Sequence, residues 1–109
     1  MRIVSTRVFE KRARRLFTAA EVAEVEALVA LAPLSGVIIP GTGGIRKLRV
    51  AASGRGKRGG ARVIYFHLTA PGVIYLLTVY AKAEQEDLSP EDKRQWVRFT
   101  SELKKAHQG

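Results

Sequence analysis

Two runs, "ARVIYFHLT" at 61–69 and "VIYLLTVYA" at 73–81, constrain this chain more than any other part of it. Both are dense in β-branched and aromatic residues, which suit a pleated, half-buried surface. Only "APG" separates them, and Pro71 with Gly72 marks a tight connection, so the two runs are expected to pair as antiparallel neighbours. A two-stranded hairpin with this much apolar surface is not stable alone in water. The rest of the chain must therefore extend it sideways and cover its faces.

A third strand is expected just upstream. "GTGGIRKLRV" at 41–50 leaves a glycine-rich turn and interleaves Ile45, Leu48 and Val50 with Arg46, Lys47 and Arg49. Three strands with dense turn signals make a meander, and "GRGKRGG" is the loop between its first two. Strand periodicity places Arg62, Ile64, Phe66 and Leu68 on one face of the middle strand, with Val63, Tyr65 and His67 on the other. On the last strand it places Ile74, Leu76, Thr78, Tyr80 and Lys82 together.

The covering elements are helical. A short strand is expected at 2–5, and Ser5 or Thr6 can cap a helix in which Val8, Phe9, Ala13, Leu16 and Phe17 recur near helical spacing. "TAAE" at 18–21 is a capping box: the Thr18 hydroxyl accepts from the N3 amide while Glu21 reaches back to the cap. Val22, Val25, Leu28, Val29 and Ala32 then form an apolar stripe that Pro33 ends. In "LSPED", Ser89 is an N-cap, Pro90 occupies N1, and Glu91 and Asp92 suit the positive end of the helix dipole. That last helix presents Trp96, Phe99, Thr100 and Leu103. The expected fold is α+β: a short N-terminal strand, a two-helix hairpin, an antiparallel three-stranded meander and a C-terminal helix. With 109 residues, 1–109 is expected to be one domain.

Charge narrows the class of partner. The chain carries +9 overall, yet from Ala27 to Ala83 it has no Asp or Glu and eight cations: Arg46, Lys47, Arg49, Arg55, Lys57, Arg58, Arg62 and Lys82. Like charges packed into one segment oppose folding unless a counter-charge or a function offsets them. Such a segment is suited to an anion, most simply a nucleic acid. Arg62, near the start of one strand, is expected to converge with Lys82, which leaves its antiparallel neighbour, to form a cationic cleft.

Other chemistries fit poorly. Gly54, Gly56 and Gly59 match G-x-G-x-x-G, but a strand follows where a dinucleotide site needs a helix, and the next acid is Glu84. A Walker A loop is excluded by Ala51 in place of its first glycine and Arg58 in place of Ser or Thr after Lys57. With no cysteines and only His67 and His107, neither a disulfide framework nor a metal-ligand constellation is expected. Glu84, Glu86 and Asp87 read as a solvated turn before the last helix rather than as acid and base. The stretch 27–42 is broken by Pro33, Gly36 and Pro40 and is too short to span a membrane. The N-terminus turns charged before any apolar segment develops, so no secretory signal is read and a cytoplasmic location is expected.

Across the whole chain, the blocks "GTGGIRKLRVAASGRGKRGGARVIYF" and "IYLLTVYAKAEQEDLSPEDK" resemble the RelE/HigB toxins of bacterial type II toxin–antitoxin modules, in particular the HigB-like branch. The resemblance implies an antiparallel sheet whose charged cleft accepts messenger RNA on the ribosome. It also implies metal-independent cleavage in which the 2′-hydroxyl attacks the neighbouring phosphate, with no cofactor. By position, Arg62 matches the strand arginine at the scissile phosphate. Lys82 matches the basic residue leaving the last strand, and Lys57 a basic residue of the preceding hairpin that is open to a general-base role. Tyr80 is a stacking or acid candidate, and Arg46, Lys47, Arg49, Arg55 and Arg58 are RNA-binding candidates. A catalytic Tyr or His in a short C-terminal tail is missing, because a capped helix stands there, so the identity of acid and base stays open.

Implied partners are a cognate antitoxin of helix-turn-helix type, the ribosome and its messenger, with operator DNA reached only through the antitoxin. Two other readings use the same features: a non-catalytic RNA- or ribosome-binding module, and a gyrase inhibitor of the ParE type.

Overall fold

The computed structural model describes residues 1–52, 59–70 and 72–108. The chain runs β1 (Arg2–Ser5), α1 (Arg7–Leu16), α2 (Ala19–Leu31), β2 (Val37–Ile38), β3 (Ile45–Val50), β4 (Ala61–Leu68), β5 (Val73–Ala81) and α3 (Pro90–Gln108). The sheet order is β1-β5-β4-β3-β2. The meander pairs antiparallel throughout, from Leu68 opposite Val73 to Ala61 opposite Ala81. β1 lies parallel to β5, with Arg2 opposite Val73 and Ser5 opposite Leu76, which makes the sheet mixed.

The α+β class and element order are as expected, with one addition. β2 pairs Val37 with Lys47 and Ile38 with Arg46 and extends the sheet beyond β3. Two residues cannot display an alternation, and Gly36 and Pro40 around them read as loop.

The helix boundaries follow their caps. Thr6 Oγ1 accepts from the Phe9 amide at 3.0 Å and donates to the Leu77 carbonyl at 2.6 Å, so the cap of α1 also ties that helix to β5. Thr18 and Glu21 form the reciprocal capping box at 3.1 and 2.8 Å. Ser89 Oγ accepts from the Asp92 amide at 3.1 Å to open α3.

Each face of the sheet has its own core. On one side, Phe9, Ala13, Leu16 and Phe17 with Val25 and Val29 of α2 pack on Val63, Tyr65, Ile74, Leu76 and Val79. On the other, α3 lays Trp96, Val97 and Leu103 over Ile45, Ile64, Phe66, Leu77 and Tyr80. The α2 stripe is narrower than its sequence suggests: Val25 and Val29 are buried whereas Leu28 is 40% exposed on the flank. Tyr65 fastens the α2–β2 connection, donating to the Pro33 carbonyl at 2.7 Å and accepting from the Gly36 amide at 2.9 Å. A Cβ at Gly36 would stand 2.8 Å from the Tyr65 ring, so this close approach needs glycine.

One periodicity expectation is corrected. Ile74, Leu76, Thr78, Tyr80 and Lys82 do not share a face, because the β4–β5 register shifts between Ile64 and Tyr65 and leaves Leu77 as an extra residue on β5. Ile74 and Leu76 face α1 and α2, as do Val79 and Ala81, while Leu77 and Tyr80 face α3. Thr78 accepts a hydrogen bond from Arg12 of α1 at 3.1 Å. The bulge therefore lets β5 feed the first core along its length and still present Tyr80 beside Arg62, its pairing partner. Among the described residues, no helix is long and apolar enough to cross a membrane.

Candidate functional site

Where β3 ends, β4 begins and β5 ends, a cleft of about 480 Å³ opens on the face that α3 packs against, lined by Val37, Lys47, Arg49, Arg62, Lys82 and Glu86. Register builds it. Arg49 pairs with Arg62 and Arg62 with Tyr80, so these three side chains form a row across three strands. Lys47 lies two residues back along β3, on the same face as Arg49. Lys82 follows the last residue of β5, and its amide donates to the Gly60 carbonyl at 3.0 Å, which fixes it at the entrance to β4.

The entrance itself depends on glycine. Gly60 has φ +75°, and a Cβ there would overlap the Val50 carbonyl oxygen. Gly59 has φ +82°, and its missing side chain makes room for the stem of Lys82. Glycine thus brings β4 close enough to β3 and β5 to set Arg62 between Arg49 and Tyr80.

Arg62 is 6% exposed. Its Nη1 donates to the carbonyls of Gly59 at 3.1 Å and Ala61 at 3.4 Å, and among the described residues no carboxylate lies within ion-pair distance of it. A buried guanidinium facing a cleft without a direct counter-ion is costly to fold around and effective at holding an anion. Placing Arg49 directly opposite adds like-charge repulsion, which an anion between them would relieve.

The turn that leaves β5 reaches back into this cleft. Lys47 Nζ pairs with Asp87 Oδ1 at 2.6 Å, and Lys82 Nζ with Glu86 Oε1 at 3.7 Å. Farther out, Arg15 of α1 pairs with Glu84 at 3.6 Å. The hydrogen bond from Lys47 and its positive charge hold the Asp87 carboxyl below the usual value, with a smaller contribution from Arg62. Tyr80 donates to the Glu86 carbonyl at 3.3 Å. Burial, reinforced by the Asp87 and Glu86 charges and opposed by Arg62, pushes its phenol up to about 12. Near neutrality Tyr80 is therefore a proton donor and not a base.

The structure brings Lys47, Arg49, Arg62 and Lys82 together with Tyr80 beside them. Arg46 points to the opposite face, where its guanidinium donates to the carbonyls of Leu34 at 3.2 Å and Gly36 at 2.7 Å, a structural tie rather than a cleft cation. Arg55, Lys57 and Arg58 lie outside the described residues. Glu86 and Asp87 lie in an exposed turn, as read from sequence, and from it also reach Lys82 and Lys47 at the cleft. Their one signal in sequence was position, since with Glu84 they are the first acids after the long acid-free segment.

Such an arrangement can bind a phosphodiester, stabilise extra negative charge on phosphorus through Arg62, and supply N–H and O–H protons from Lys82 and Tyr80. The family model described as "RelE toxin of RelE / RelB toxin-antitoxin system" matches residues 1–109.

Proposed function

We propose, for a chain that belongs to the RelE toxin family and so acts as the toxin of a toxin–antitoxin pair with a cognate antitoxin as partner, a ribosome-dependent endoribonuclease activity on translated messenger RNA. The observation that carries this reading is the buried Arg62 guanidinium, which among the described residues is held by backbone carbonyls alone and lines a cleft with Lys47, Arg49 and Lys82.

In this reading the cleft holds the phosphate that joins two nucleotides. The 2′-oxygen attacks phosphorus and gives its proton to a base, the bond from phosphorus to the 5′-oxygen breaks, and that oxygen takes a proton as it leaves. The products are a 2′,3′-cyclic phosphate and a 5′-hydroxyl. Arg62 cannot deprotonate and serves the charge that accumulates on the equatorial oxygens. Lys82, which lines the cleft, and Tyr80, buried beside Arg62, are the proton-donor candidates for the leaving oxygen, and Lys57 remains the base candidate. Lys47 and Arg49 grip the flanking backbone. The finer assignment to the HigB-like branch, with a helix-turn-helix antitoxin and action among cytoplasmic ribosomes, belongs to the same proposal.

The test is a primer-extension map of messenger cleavage by purified protein on programmed ribosomes. Arg62→Ala should lower cleavage by about 10²–10³-fold, or ~2–4 kcal/mol of transition-state stabilisation. Wild-type binding without any cleavage would favour a non-catalytic RNA-binding module. Cleavage surviving Arg62→Ala together with Lys82→Ala would overturn the site assignment.

A further inference from the structure

The cleft lysines are already occupied. Lys47 holds Asp87 at 2.6 Å, and Lys82 stands 3.7 Å from Glu86. Each lysine thus meets one carboxylate, and both carboxylates come from the turn that leaves β5.

That turn is shaped to deliver them. The amides of Glu84 and Gln85 donate back to the Ala81 carbonyl at 3.0 and 3.2 Å, which closes the chain at the end of β5. Gln85 Nε2 donates to the Asp87 carbonyl at 3.0 Å, and the next residue, Leu88, packs into the core beneath α3. Anchored at both ends, the segment carries Glu86 and Asp87 past the cleft mouth. Their side chains are nevertheless 78% and 72% exposed, so each can rotate into solvent without moving the backbone.

We infer that Asp87 and Glu86 act as internal stand-ins for RNA phosphates, occupying Lys47 and Lys82 in the free protein and yielding them when a nucleic-acid backbone enters. The inference rests on the reading of the cleft as an RNA site. Without these carboxylates the cations of the cleft would face one another unscreened; with them, RNA must compete for two of its contacts. The turn thereby sets a threshold on affinity and discourages capture of stray polyanions.

The test compares wild type with Glu86→Gln plus Asp87→Asn for binding of a fully 2′-O-methylated oligoribonucleotide, which cannot be cleaved. The double variant should bind about three- to tenfold tighter while still unfolding in one cooperative thermal transition. In wild type, the Asp87 carboxyl, followed by NMR, should lose its depressed titration when the oligonucleotide saturates the protein. Equal or weaker binding by the variant overturns the inference, as does binding by neither protein. A collapse of ribosomal cleavage in the variant at saturating protein would also overturn it, marking Asp87 or Glu86 as a group that acts on the reacting atoms. Absence of cleavage in both proteins alongside a persistent gain in binding would sink the ribonuclease reading and leave this inference standing.

Discussion

Tyr80 gathers the electrostatics of the site on one proton. Burial raises its phenol to about 12, the carboxylates of Asp87 and Glu86 push the same way, and Arg62 pulls against them. A raised folded value means that the neutral phenol stabilises the fold at every pH below its ordinary value near 10, an advantage lost as pH climbs through about 12. Asp87 has the opposite sign: its depressed carboxyl supports the fold above the ordinary carboxylate range, and that support fades on acidification through the lowered value. Tyr80 should ionise near pH 12 in an ultraviolet titration, and Tyr80→Phe should remove its share of that step. The same step in the variant would refute the assignment. Strand parity in the sequence separates Lys47 and Arg49 from Arg46 on β3, but does not say which of the two sets shares a face with Arg62, nor which face α3 would leave open. Nor could the sequence pair the exposed Asp87 with Lys47, because the two are 40 residues apart and meet only in the fold.

Elements were legible where their signals are local. The helix caps, the "APG" connection and the β-branched runs each act over a few residues, and α1, α2, β4, β5 and α3 follow them. The β5 bulge left no trace, because Leu77 and Thr78 are both ordinary strand residues and the shift arises only from satisfying two cores at once. β2 was hidden by its brevity, and the parallel β1–β5 pairing by the distance in sequence between its strands. The joint between β3 and β4 is the element on which the site depends most. Gly60→Ala would force a side chain into a left-handed position and against the Val50 carbonyl, with an expected loss of about 2–4 kcal/mol in denaturant unfolding. Because Gly60 also accepts the Lys82 amide, the folded fraction of this variant should bind the 2′-O-methylated oligonucleotide more weakly as well. A variant of wild-type stability would show that the strands part at this joint without strain.

At the scale of the molecule, a charge of +9 could serve an RNA partner in two ways: as a diffuse attraction over the whole surface, or as a focused set of contacts. The fold favours focus. Register places four cations of the acid-free segment at one end of the sheet, while the cations of α1 lie on the opposite side, one of them paired with Glu84. Release of counter-ions from single-stranded RNA lowers log K against log salt by about 0.7 for each phosphate neutralised, so Lys47, Arg49, Arg62 and Lys82 together predict a slope near about −3. Lys47→Gln should flatten that slope by about 0.7. Arg2→Gln removes an equal charge from the opposite end of β5, where Arg2 pairs with Val73, and should leave it unchanged. The measurement is a salt titration of oligonucleotide affinity for the three proteins. Equal flattening by both substitutions would mean that the surface as a whole, and not the cleft, attracts RNA.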